Sequence, residues 1–399
     1  MRLFDAPHIP YFLGGFLQVL LALILWSLWL LGAFAGVYQV PAMPVSAVVM
    51  HGFLMLFGVF PFFMFGFLAT TYPRWMQTAP IARRHYRAAL VLRVIGLLTV
   101  YAGLAMGRTE IVFGMAVIIA GDATLVAALI GVYRRAKPVA RRGVRMFNIT
   151  LTAEVAGLFL YALHVADPGL VPALVAIRVG FFFFLVPTIF GVSYRMLPLF
   201  TASVLPGYDR PLSSPRVPMI LLAGTAAHAV LATASLRAPL VPIDIGLAVL
   251  AWYHAYLWFR RDVVHHGLLL LLYVGFVWLG IGFALYAIHD AALALGYGLL
   301  GRGPLHALGL GFALSLIIAM VTRVTRGHSG RTLESDAWSW FALIGVQVAT
   351  VLRVAATFPG IDHWATVNLS VIAAPVAITA LFPWAFRYSM LLVMTRRGA

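Results

Sequence analysis

The sequence predicts an all-α, polytopic membrane protein, a bundle of about twelve transmembrane helices with both termini cytoplasmic. Three observations carry that expectation. Of the 399 residues, 63% are hydrophobic and only 10% charged, whereas a soluble chain has about a quarter of its residues charged. The apolar residues gather in runs of roughly twenty, long enough to cross a bilayer as a helix that satisfies its own backbone. The basic residues sit in the short links between runs, concentrated on alternate links.

In order, the first span is Tyr11–Phe34, which lacks a small-residue cleavage pattern and is read as a retained helix rather than a signal peptide. The second, Val45–Tyr72, is followed by Arg74, Arg83, Arg84 and Arg87. Spans three and four, Tyr86–Met106 and Ile111–Tyr133, lead to Arg134, Arg135, Lys137, Arg141, Arg142 and Arg145. Spans five and six, Val144–His164 and Val171–Leu199, lead to a link with Arg210 and Arg216. Spans seven and eight, Val217–Leu236 and Val241–Phe259, end on Arg260 and Arg261. Spans nine and ten, Gly267–His289 and Pro304–Thr322, precede Arg323, Arg326 and Arg331. The last two, Ala337–Thr357 and Ala365–Met394, finish at Arg396 and Arg397. Opposite links carry only scattered charges such as Arg108, Arg237 and Arg302. Lys and Arg mark the cytoplasmic side, and an even number of spans returns the chain to it.

One transmembrane domain over residues 1–399, with no extramembrane domain, follows. A net charge of +16 would suggest nucleic-acid binding in a soluble chain; here it is a topology signal, and the expected partner is the lipid bilayer, not nucleic acid. Cysteine is absent, which excludes thiolate metal sites, iron–sulfur clusters and disulfides, so any metal is held by His, Met or carboxylate.

Membrane depth sorts the 12 histidines. His8, His85, His265, His266 and His328 fall in cytoplasmic links or helix ends, and His164, His289 and His363 at the outer surface, where solvated caps are the simplest account. His51 lies in the outer part of span two and His306 in the first turns of span ten, and both spans run inward. If the two helices face each other, the imidazoles supply both axial ligands of a b-type haem, with Gly52, Gly58, Ala307, Gly309 and Gly311 allowing close approach and Phe53, Phe57 and Phe60 nearby. Alternatively each imidazole bonds a carbonyl of a neighbouring helix. His228 in span seven and His254 in span eight, flanked by Trp252, Tyr253, Tyr256 and Trp258, are candidates for a second haem or a copper, or are structural.

Five charges fall inside apolar runs: Arg93, Asp122, Glu154, Arg178 and Arg353. Each is expensive in hydrocarbon unless paired. They are read either as ion pairs that fix helix register or as a proton path and partners for haem propionates. The methionines around span two, Met43, Met50, Met55 and Met64, are read as core packing.

Three segments resemble the NnrS family. Pro304–Leu333, PLHALGLGFALSLIIAMVTRVTRGHSGRTL, matches the family's His-Ala-Leu helix start and its basic turn with Gly-His-Ser-Gly-Arg. Tyr194–Thr201, YRMLPLFT, is similar to its Arg-x-x-Pro-Phe-Phe-Thr segment, and His51–Trp75 resembles its second helix. Where family members commonly read His-Ala-His-Glu-Met, this chain has His51-Gly52-Phe53-Leu54-Met55, and Tyr273 stands where a His is frequent. The resemblance implies a bacterial cytoplasmic-membrane protein with haem b, and copper in the family at large, concerned with nitric-oxide metabolism and resistance to nitrosative stress. His51 and His306 fall on matched motifs, as do His328 and Arg331, whose role the motif leaves open. A more distant fold-level similarity to haem–copper oxidase subunits, which hold haem between their second and tenth helices, points the same way. Bis-His iron suits electron transfer from a donor that the sequence does not name. Two alternatives stand: a haem/copper oxidoreductase acting directly on nitric oxide, which would be an enzyme, and a proton-coupled or anion transporter with structural histidines.

Overall fold

The computed structural model describes residues 4–209, 214–298, 300–358, 360 and 363–394, the side chains of 363–365 excepted. Arg210, Arg396, Arg397 and the His363 side chain lie outside that description. Among the described residues the chain is helical, without a strand. The principal helices are α1 (His8–Ala33), α2 (Ala47–Trp75), α3 (Arg83–Met106), α4 (Arg108–Arg135), α5 (Arg145–Ala166) and α6 (Ala173–Ala202), then α7 (Val217–Thr233), α8 (Leu240–Trp258), α9 (Gly267–Ala294), α10 (Gly303–His328), α11 (Ala337–Ala355) and α12 (His363–Met394). Eleven are long and apolar enough to cross a membrane. The shorter α7 has 17 residues, about 25 Å at 1.5 Å per residue.

Each expected span has its helix, and at two of the basic links the helix outlasts the apolar run. α10 continues past Thr322 to His328, and α4 past Tyr133 to Arg135. Cations near a helix C-terminus are favoured by the peptide dipoles and can reach the aqueous boundary on long stems. α3 and α4 are joined by Gly107 alone, whose φ of +154° is open to a residue without Cβ. Large apolar side chains point outward from mid-helix, Leu98, Phe113 and Phe386 being 62–64% exposed. A water-soluble surface does not tolerate such a belt, whereas lipid covers it.

Contacts divide the chain into two compact units, one of Met1–Ala22 with Val40–Thr188 and one of Leu23–Gln39 with Ile189–Ala399. In the first, α2 contributes a buried aromatic column, Phe53, Phe57, Phe62, Phe63 and Phe65, and α1 reaches it through Gly14 and Gly15, against which Phe62 and Phe63 lie. The α3–α4 hairpin closes on Gly96 and Gly114. In the second unit, Leu30 of α1 packs with Val371 and Ala374 of α12, and Gly345 of α11 meets Ala380.

α11 starts on a capping box: the Asp336 carboxylate accepts from the Ser339 N–H at 2.9 Å, and the Ser339 hydroxyl accepts from the Asp336 N–H at 3.1 Å. Asp336 is also 3.4 Å from Arg326 of α10. Asp336→Ala should lower stability by about 1 kcal/mol, the usual worth of an N-cap. Thermal unfolding of the detergent-purified protein measures it; Asp336→Asn, which keeps the cap and loses the charge, should lose less.

Candidate functional site

Three helices depart from regular α geometry. α2 widens into a π-helical stretch at Leu54–Val59, α6 at Val179–Leu185 and α10 at Ala307–Leu314. A π turn shifts the hydrogen-bond register by one and re-aims the side chains at its edge, and such turns recur at functional sites. The basic residue in the last turn before each stretch is His51, Arg178 and His306 respectively. Three residues singled out in the sequence therefore stand at the three α-to-π junctions, on helices four apart in order.

In the first unit, the His51 turn is held from α5. The Tyr161 hydroxyl donates to the Val49 carbonyl at 2.6 Å, and its ring packs against Phe53 and Phe57. A Cβ on Gly52 would meet that hydroxyl and then Ile177, and one on Gly58 would meet Gln18. The small residues beside His51 thus admit protein side chains. His51 itself is half-buried.

The π stretch of α2 also explains part of the intramembrane charge. Arg93 of α3 donates from NH1 to the Phe57 carbonyl at 2.7 Å, inside that stretch. The rest of its guanidinium grips Asp122 of α4 through two bonds, 3.1 Å from Nε and 2.6 Å from NH2. Glu154 of α5 lies 3.6 Å from NH2. Phe62 and Phe65 flank the guanidinium at 5.2 and 5.7 Å. The structure thus brings together Arg93, Asp122 and Glu154. Arg178 stands half-buried at the α6 junction, and Arg353 belongs to the second unit, where NH1 donates to the Ser370 hydroxyl at 3.3 Å.

In the second unit, the π stretch of α10 is braced from both sides. Trp278 of α9 donates to Gln347 of α11 at 2.5 Å, Gln347 donates to the Ser315 hydroxyl at 2.7 Å, and Ser315 donates to the Leu310 carbonyl at 3.2 Å. The Trp278 ring fills the place that a Cβ on Gly311 would take. His306 Nδ1 is 2.8 Å from the Arg302 carbonyl. Nδ1 donates there in the imidazolium or in the neutral tautomer that carries the lone pair on Nε2, and the latter is the state in which imidazole ligates a metal. His254 and His328 make the same bond, to Leu250 and Val324, so it orients the ring without marking it as a ligand.

His228 and His254 are not brought together. His228 Nδ1 is 2.7 Å from Asp244 of α8, and His254 lies ten residues further along the same helix, a rise of about 15 Å. His254 is caged by Tyr194 and Trp258, both with ring centroids at 5.3 Å. Asp244 and Asp290, whose carboxylates gather around His228, are not among the residues singled out in the sequence. The available signal was an acidic residue inside or at the edge of an apolar run, which hydrocarbon tolerates only with a partner.

The match to known proteins follows the same length of chain. The family model described as NnrS protein covers residues 2–396. The chain belongs to the NnrS family. No curated protein matches it. Within this NnrS chain the familiar segments acquire local physical reasons. Tyr273, where a family His is frequent, donates to the Trp258 carbonyl at 2.7 Å and lies 3.2 Å from the hydroxyl of Thr201, the last residue of YRMLPLFT. A phenol there ties α9 to α8 and α6. In the Gly-His-Ser-Gly-Arg turn, Gly330 takes φ +67°, and Arg326 holds the link by donating to the Thr332 carbonyl at 2.9 Å. His328 and Arg331 are exposed on that turn.

Proposed function

We propose that this NnrS protein is a b-haem protein of the bacterial cytoplasmic membrane that takes part in nitric-oxide handling, with His51 and His306 as the iron ligands. The observation that carries the reading is the placement of both histidines at α-to-π junctions of α2 and α10, in a chain whose family membership fits a nitric-oxide-related role. These two helices are also the most enclosed, with 89% and 78% of their most apolar stretches buried against 39–61% in the other spans. The donor chemistry fits: neutral imidazole is a strong haem-iron ligand, and the Arg302 carbonyl beside His306 Nδ1 suits the neutral tautomer that presents Nε2. Gly52, Gly58 and Gly311 serve protein packing, since Tyr161, Gln18 and Trp278 stand where a Cβ would lie. Bound haem supplies one-electron exchange at iron. The chain's own part is to fix the two rings, to brace both π stretches through Arg93 and Ser315, and to offer Arg178 at the third junction as a cation for propionates.

The test is the visible spectrum of the full-length protein purified from cells with an adequate haem supply. A Soret band with a low-spin, six-coordinate reduced spectrum is expected, and His51→Ala and His306→Ala should each remove most of the haem or convert it to a five-coordinate form. Absence of the band, or a spectrum unchanged in both variants, overturns the assignment. Addition of nitric oxide to the reduced protein then separates two roles: a slow response fits electron transfer through bis-His iron, and an immediate shift fits direct binding of the gas.

A further inference from the structure

Apart from the haem reading, and within the second unit alone, three polar side chains converge near the ends of α7, α8 and α9 that adjoin the Arg237 link. His228, Asp244 and Asp290 are 1%, 0% and 1% exposed. Each offers one ligand atom within 4.8 Å of the others. His228 Nδ1 and Asp244 Oδ1 are 2.7 Å apart, a hydrogen-bond distance that an ion held at 2.0–2.2 Å by both would open to about 3.3–3.6 Å in a tetrahedral shell. The Tyr286 ring packs edge-on against His228 at 4.6 Å between centroids, which limits the imidazole's rotation.

Two ion pairs do not complete this group. His228 accounts for one oxygen of Asp244, and Arg237 NH1 for one oxygen of Asp290 at 2.9 Å. Asp244 Oδ2 is buried beside the Asp290 carboxylate and receives no N–H or O–H donor from a neutral or cationic side chain. An orphaned carboxylate oxygen in an apolar interior is costly, and a cation shared with His228 and Asp290 satisfies it. We infer that His228, Asp244 and Asp290 form a binding site for a first-row divalent cation of the zinc type. One imidazole and two carboxylates, without thiolate, suit Zn²⁺, Mn²⁺ or Fe²⁺ better than Cu⁺. The site does not use His254, and it is independent of any haem at His51 and His306.

The experiment uses the full-length protein in detergent, stripped with chelator and dialysed against buffered Zn²⁺, with bound metal read by elemental analysis. The wild type should retain about one Zn²⁺ per chain. Asp244→Asn and Asp290→Asn should each weaken retention by ~10–100-fold, while His265→Gln, which removes an exposed imidazole, should leave it unchanged. No Zn²⁺ in the wild type overturns the site, and equal Zn²⁺ in all four proteins means an adventitious ion only and overturns it as well. X-ray absorption of the Zn²⁺-loaded wild type decides even if a variant does not fold. A nitrogen/oxygen shell with a single imidazole supports the site, and a shell of several imidazoles refutes it. Neither readout depends on a Soret band, so the site and the haem assignment fail separately.

Discussion

Arg93→Met is expected to destabilise the protein by about 3–5 kcal/mol, the range for removing one partner of a buried ion pair. The guanidinium is 1% exposed, donates to both oxygens of Asp122 and to the Phe57 carbonyl, and stands at ion-pair distance, 3.6 Å, from Glu154. Methionine fills a similar volume between Phe62 and Phe65 but donates nothing. Two carboxyl groups and a π-turn carbonyl are then left in a low-dielectric interior, where each lost bond carries the full desolvation penalty. Thermal unfolding and the monodisperse yield after detergent extraction measure the loss. The cluster should be replaceable as a whole more easily than in part, since exchanging a buried ion pair for apolar residues is often neutral. Arg93→Met with Asp122→Leu and Glu154→Gln should therefore recover most of the lost stability. Glu154→Gln alone should be mild, because Glu154 has the longest contact of the three. An Arg93→Met protein as stable as the wild type would show that the cluster does not hold α2, α3 and α4 together.

The same cluster shows how far the sequence could be read. That Arg93, Asp122 and Glu154 needed partners follows from their apolar surroundings, but the ion-pair alternative names them among five charges with Arg178 and Arg353 and does not say which pair with which. Their fourth partner was invisible, because the Phe57 carbonyl becomes available only where α2 widens into a π stretch, and no residue pattern marks that widening. The twelve helices were legible for the opposite reason. Lipid forces each long apolar run to satisfy its backbone within itself, so run length and basic links determine the elements without knowledge of packing. Membrane depth singles out His51 and His306 in the sequence, and of the glycines beside them, read as room for a flat cofactor, Gly52, Gly58 and Gly311 have Tyr161, Gln18 and Trp278 where a Cβ would lie. Small residues announce a close approach but not what approaches. His228 stands out along the chain and its neighbours Asp244 and Asp290 do not, since they come from other helices and pairing across helices has no signature along one of them.

Gly114→Val tests what does approach in the α3–α4 hairpin, and it should cost about 3 kcal/mol, the upper part of the usual range for overpacking. A Cβ on Gly114 would lie 2.6 Å from the Gly96 carbonyl and 2.8 Å from the Val100 nitrogen, and a Cβ on Gly96 would lie 2.5 Å from the Gly114 carbonyl. Each clash is with backbone, so no rotamer change relieves it and the helices must separate. Between helices in lipid the association rests on close van der Waals packing rather than on a hydrophobic drive, which makes separation especially damaging. Separation would also draw Arg93 of α3 away from Asp122 of α4, which lies eight residues beyond Gly114. The steric and the electrostatic losses are therefore coupled, and Gly114→Val combined with Arg93→Met should be less destabilising than the sum of the two. Gly246→Ala in α8 is the matching control, since nothing lies within 4 Å of its added Cβ and alanine is the better helix former. It should leave the unfolding midpoint level or slightly raised. Equal midpoints for Gly114→Val and Gly246→Ala would refute the tight seam.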